Sequence, residues 1–75
     1  MNAYSAYLKL AGDKKWILLC HLKVEDQKQG VAEAQGKVAE YLLANKEAVP
    51  EEAQLRGLGS GRVLVSWTPS HLPAH

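Results

Sequence analysis

Cys20 and His21 stand side by side, and a thiol next to an imidazole is the pairing from which a reactive thiolate is made. They fall in an apolar stretch that reads as a strand, where neighbouring side chains project to opposite faces, so the pair is defeated unless another histidine comes in from the C-terminal tail. His71 and His75 are four residues apart, a spacing that would place two metal ligands on one helical face, but Pro73 between them argues against that helix. His21 has no carboxylate or further cysteine at ligand spacing, and a structural zinc site normally needs four ligands. Gly57, Gly59 and Gly61 have the look of a phosphate loop. Such loops leave a strand and open a helix, whereas here the order reads helix, loop, strand. Glu51 and Glu52 are better explained by the dipole at the start of a short helix than as paired catalytic carboxylates. The chain therefore reads as a non-enzyme that calls for no metal or cofactor.

Two groupings point to binding instead. Lys9 and Lys23 share a strand face with Tyr7 and His21, Lys14 and Lys15 sit at the tip of the hairpin they belong to, and Arg56 and Arg62 flank the glycines. Basic groups beside aromatic ones can hold nucleic acid through phosphate contacts and base stacking. On the same face, however, the reading places Ile17 and Leu19, and with Tyr7 and Leu64 these make an apolar patch with lysines at its rim, the anatomy of a protein interface.

Composition bounds both readings. Seventy-five residues make one domain, read as residues 1–68 with a tail at 69–75, and nine Lys and Arg against eight Asp and Glu give a net charge of +1. No bulk field draws such a chain to nucleic acid or to an anionic membrane. A single cysteine in an apolar strand behaves as a small buried hydrophobe and fits a reducing, cytoplasmic setting. The longest apolar run, Trp16 to Cys20, is too short for a membrane span, and the first ten residues do not have the form of a signal peptide.

The elements that must position these groups follow from periodicity. Residues 25–45 form the one long helical pattern, with Val31, Ala34, Val38, Tyr41, Leu42 and Asn45 in one arc and Glu33 four residues before Lys37 on the other side. Asp26 and Gln29 have the form of a capping box, and Gly30, on the core side, implies close packing. Tyr4 to Leu10 alternates as a strand, with Tyr4, Ala6, Leu8 and Leu10 on one side; Trp16 to Val24 is a second strand, with Trp16, Leu18, Cys20, Leu22 and Val24 facing the helix and Ile17, Leu19, His21 and Lys23 facing away. A short second helix is expected at about residues 50–55, a flexible loop at 56–62 and a third strand at 63–67.

The fold class is α+β, ββαβ: a three-stranded sheet with one long helix on one face and a short second helix. The last strand either joins the second by a parallel crossover or lies beside the first in an antiparallel sheet, and the long connection favours the latter. A sheet with one covered face leaves the other without a partner. The function this implies is a small non-catalytic protein-binding module, an adaptor or stoichiometric inhibitor of a larger complex of the kind phages encode, working through the open face (Tyr7, Ile17, Leu19, Leu64) or a sheet edge. A homodimer through the same face is one form of it, and a tail folding over the face through Leu72 is the alternative that would close it. The second function is a nucleic-acid-binding module using Lys9, Lys14, Lys15, Lys23, Arg56 and Arg62; a third is a small metal or redox protein using Cys20 and the histidines.

Overall fold

The computed structural model describes residues 2–69. Its elements run β1 (Asn2–Leu10), β2 (Ile17–Val24), α1 (Gln27–Ala44), β3 (Pro50–Gly57) and β4 (Val63–Trp67). The class is α+β with one helix, and the sheet is wholly antiparallel but four-stranded, in the order β2-β1-β3-β4. The segment expected as a short second helix is β3. Pro50, Glu51 and Glu52 do resemble a helix start, yet Pro is equally at home as the first residue of a strand. Residues 52–56 then alternate, Ala53 and Leu55 fully buried and Glu52, Gln54 and Arg56 turned to the other side. Pairing with β1 satisfies a backbone edge that a helix would have left bare.

The glycine-rich stretch beyond it is a hydrogen-bonded hairpin turn. Gly57 N–H donates to the Arg62 carbonyl, Gly61 N–H to the Gly57 carbonyl, and Leu58 N–H to the Ala3 carbonyl on β1. Gly59 and Gly61 have φ of 92° and 69°, a region that costs other residues a Cβ clash and glycine nothing.

The helix packs over β2, β1 and β3. Asp26 caps it, its side chain accepting from Gln29 N–H at 2.8 Å, while Gln29 Oε1 accepts from Glu25 N–H at 3.3 Å. Asn45 closes the other end by donating through its amide nitrogen to the Tyr41 carbonyl. Gly30, Ala34, Val38 and Leu42, spaced four apart, form the buried stripe. Gly30 lies so close to the sheet that a Cβ there would meet the Tyr4 ring at 3.1 Å and Leu55 at 3.4 Å, the close packing expected at this position. On the exposed side Lys37 pairs at 3.9 Å with Glu40, one turn on, instead of with Glu33.

Two clusters make the core. Tyr4, Ala6, Leu22, Val24, Ala34 and Leu55 form one; Leu8, Val38, Leu42 and Ala53 form the other. Val65 and Trp67 pack against it from β4. Leu18, expected to face the helix, is exposed, and so is Val63.

Gly36 has nothing within 4 Å of where a Cβ would stand and keeps an ordinary helical φ. Nothing in the structure explains a glycine there. Gly36→Ala is therefore expected to stabilise the fold by about 0.5–1 kcal/mol and to raise the thermal midpoint by about 2–8 °C, measured by circular dichroism.

Candidate functional site

The side of the sheet away from α1 is set by a single residue. Along β1 and β2 the register runs Ser5 to His21 and Ala6 to Cys20, then steps to Tyr7 with Leu18 and Leu8 with Ile17. Leu19 is the inserted residue, a β-bulge in β2. Because side chains alternate with a period of two, one extra residue reverses the facing of everything before it. Cys20, Leu22 and Val24 keep the helix side that their spacing predicted. Ile17 instead lies opposite Leu8 on the helix side, Leu19 packs against both core clusters, and Leu18 is turned out, 46% exposed. The apolar patch expected from Tyr7, Ile17, Leu19 and Leu64 is thus not assembled: Tyr7 is on the open face, Leu64 is exposed on β4, and the other two belong to the helix side.

What occupies the face is a layer of aromatic and polar groups. Arg56, from the centre of the sheet, lays its guanidinium 4.2 Å from the Tyr7 ring centroid and 5.1 Å from that of Trp16. Stacking of this kind is worth about 0.5–2 kcal/mol, the more so as water is excluded. Its Nε donates to Gln54 Oε1 at 2.9 Å, and Gln54 Nε2 donates to Glu52 Oε2 at 3.1 Å, so three successive outward side chains of β3 form one hydrogen-bonded ladder. Beside it Lys9 pairs with Glu51 at 3.3 Å, Glu51 being the inserted residue where β1 meets the start of β3.

Ser5, although on this open side, is only 2% exposed. It lies between His21 on one neighbouring strand and Arg56 on the other, and its Oγ is 3.0 Å from His21 Nδ1. A serine and a histidine at that distance have the reach of a nucleophile and its base. The hydroxyl is closed to a substrate, however, and no carboxylate among the described residues is bonded to the far side of the ring.

The other basic candidates do not converge. Lys23 is exposed on the open face opposite Ala3. Lys14 and Lys15 are exposed in the β1–β2 connection, at the opposite end of the sheet from Arg62 in the β3–β4 turn. Cys20 is a free thiol on the helix side, in a groove with Leu19, Lys37, Glu40 and Tyr41. Burial pushes its pKa up; Lys37 opposes the shift, and Glu33 and Glu40 add to it. Among the described residues no group of three or more His, Cys, Asp or Glu is placed to hold a metal, and His71 and His75 lie outside them.

Compared with known proteins, the chain matches no family model, no curated protein and no solved structure. Function must therefore be argued from the face itself. Trp16, Leu18, Gln54 and Glu52 were not singled out by sequence reasoning as site residues. The alternation of residues 52–56 was the signal for the β3 ladder. Trp16 and Leu18 carried none, because every residue from 16 to 20 is apolar and either facing would bury something.

No helix of the described chain is long and apolar enough to cross a membrane. Pro69, where description ends, lines a groove with Gln35, Val38 and Ala39 on the helix side of the sheet. The tail that was expected to cover or leave the sheet lies outside the described residues from position 70 onward.

Proposed function

We propose that this chain is a small non-catalytic protein-binding module, acting in a reducing, cytoplasmic setting as an adaptor or stoichiometric inhibitor, and that it meets its partner through the open face of the sheet. The observation that carries this is the Tyr7–Arg56–Trp16 stack, held half-buried on the side of the sheet away from the helix. Trp, Tyr and Arg dominate the energetics of protein interfaces, as large anchors with a polar handle. Stacking fixes the long arginine in advance, so less rotamer freedom remains to be lost on binding. Leu18 lies next to the stack as an exposed apolar neighbour, and Lys9, Glu51 and Lys23 supply a charged rim.

The sheet edges are the weaker route. Both outer strands, β2 and β4, carry an inserted residue, Leu19 and Leu64, and a bulged edge is a poor template for an added strand.

Trp16→Ala should leave the circular dichroism spectrum intact and weaken the bound partner by about 2 kcal/mol or more, roughly 30-fold in Kd. The measurement is retention of a partner on immobilised wild-type and Trp16→Ala chains, followed by titration. Equal retention by both sinks the reading. The second reading, nucleic acid, is favoured by Lys23 and Arg56 sharing a face with two aromatic rings, and opposed by Glu51 and Glu52 on that face. Retention abolished by nuclease treatment would assign the face to nucleic acid instead.

A further inference from the structure

We infer that the partner of the open face is a second copy of this chain, packed sheet to sheet with the two β3 strands running in opposite directions. The inference rests on the reading of that face as the binding surface. What names the occupant is the charge order along β3.

On the open face β3 presents Glu52, Gln54 and Arg56, negative, neutral and positive at regular two-residue steps. A two-fold axis lying in the interface and crossing the strands at Gln54 sets each Arg56 over the other copy's Glu52, and Gln54 over its own counterpart. Turning the axis parallel to the strands would set Arg56 over Arg56 and Glu52 over Glu52, which repel. The ladder holds the two ends ready: Arg56 is bonded through Nε and Glu52 through Oε2, while the terminal guanidinium nitrogens and Glu52 Oε1 have no hydrogen bond to the described residues. These atoms suit a charge-assisted pair across the interface.

The row that the axis crosses is Leu18, Tyr7, Gln54 and Ser66, paired in succession across the four strands. Leu18, 46% exposed in one chain, is therefore brought against its own copy. Four strands about 4.8 Å apart offer on the order of 400–500 Å² of face per copy, near 1,000 Å² in the pair. That is the low end for a specific interface, so the dimer is expected to form and dissociate with concentration. Two aligned sheets about 10 Å apart are an ordinary packing for such faces. A domain this small also gains from the extra burial.

The test is sedimentation of the full chain over a concentration series, with Glu52→Arg, Arg56→Glu and Leu18→Glu, each verified as folded by circular dichroism. Wild type should shift from monomer to dimer as concentration rises. Each variant alone should weaken the dimer at least tenfold. An equimolar mixture of Glu52→Arg and Arg56→Glu should regain the dimer mass, since each excess charge then meets its opposite. Should Arg56→Glu lose its fold along with its stack, Glu52→Arg and Leu18→Glu decide, because Glu52 is not one of the stacked groups and Leu18 is already exposed in the single chain. A wild-type chain that stays monomeric throughout overturns the inference, and so does a mixture that regains nothing. If the monomeric chain still binds another protein and Trp16→Ala abolishes that binding, the face stands as a binding surface and only its occupant was wrong. A dimer that survives all three variants places self-association elsewhere and overturns the inference, leaving the open face as a binding surface to be decided by Trp16→Ala.

Discussion

Leu8→Ala is expected to leave most of the chain unfolded at room temperature. Leu8 is one of the two largest fully buried side chains; it sits on β1, with β2 on one side and β3 on the other, and joins Val38, Leu42 and Ala53 in one core cluster. Truncating a buried leucine to alanine removes its transfer energy and leaves a cavity, at a cost of about 2–5 kcal/mol. A single core in a chain of this length rarely supplies more than about 3–5 kcal/mol. The two figures are comparable, so the loss consumes most or all of the stability. Urea titration followed by circular dichroism measures it, and a variant within about 1 kcal/mol of wild type would mean that this cluster is not the centre of the core.

The opposite change, adding volume, is expected to do nearly as much at Ala34. Its side chain is fully buried among Tyr4, Ala6, Leu22, Val24 and Leu55, one turn after Gly30, where even a methyl group would press on the Tyr4 ring at 3.1 Å. Ala34→Leu has to lift the first half of α1 away from the sheet or force neighbours off their rotamers. Overpacking of this kind costs about 1–3 kcal/mol. Thermal denaturation should show a midpoint lowered by about 5–20 °C, on the scaling for a domain of this size. An unchanged midpoint would show that helix and sheet are not held as closely as the Gly30 contact implies.

Both substitutions act on parts of the fold that were legible from spacing alone. The helix was readable because Ala34, Val38 and Leu42 recur every four residues and Asp26 with Gln29 marks the start; β1 was readable because Tyr4, Ala6 and Leu8 alternate with Ser5 and Tyr7. β3 was hidden by its first three residues, Pro50, Glu51 and Glu52, which satisfy the rules for a helix N-terminus as well as those for an edge of the strand. Its alternation from Glu52 to Arg56 was present but short. The expected Glu33–Lys37 pair gave way to Lys37–Glu40, a choice between two exposed partners worth only a few tenths of a kcal/mol.

The candidate site was half legible for the same reason. Tyr7 could be assigned to the open face because β1 keeps a strict alternation. Trp16 and Leu18 could not, because the residue that reverses them, Leu19, is an apolar residue in an apolar run and nothing in its type marks an insertion. Arg56 was read as part of a glycine-rich loop. Only the pairing of β3 with β1, Arg56 opposite Ser5, brings its guanidinium over the two rings.

That inserted leucine has a consequence for the energy landscape of the chain. From Leu22 onward a change of phase would drive Lys23 into the core, so one arrangement wins by a wide margin. Before Leu19 both phases bury apolar side chains, Ile17 in one and Trp16 with Leu18 in the other, and the gap between them narrows to what Arg56 gains by holding Trp16 and Leu8 gains by covering Ile17. The start of β2 is accordingly a frustrated stretch of the sheet. An alternative pairing there lies closer in energy to the native one than it does from Leu22 onward, which gives the chain a route to local rearrangement at that end of the strand.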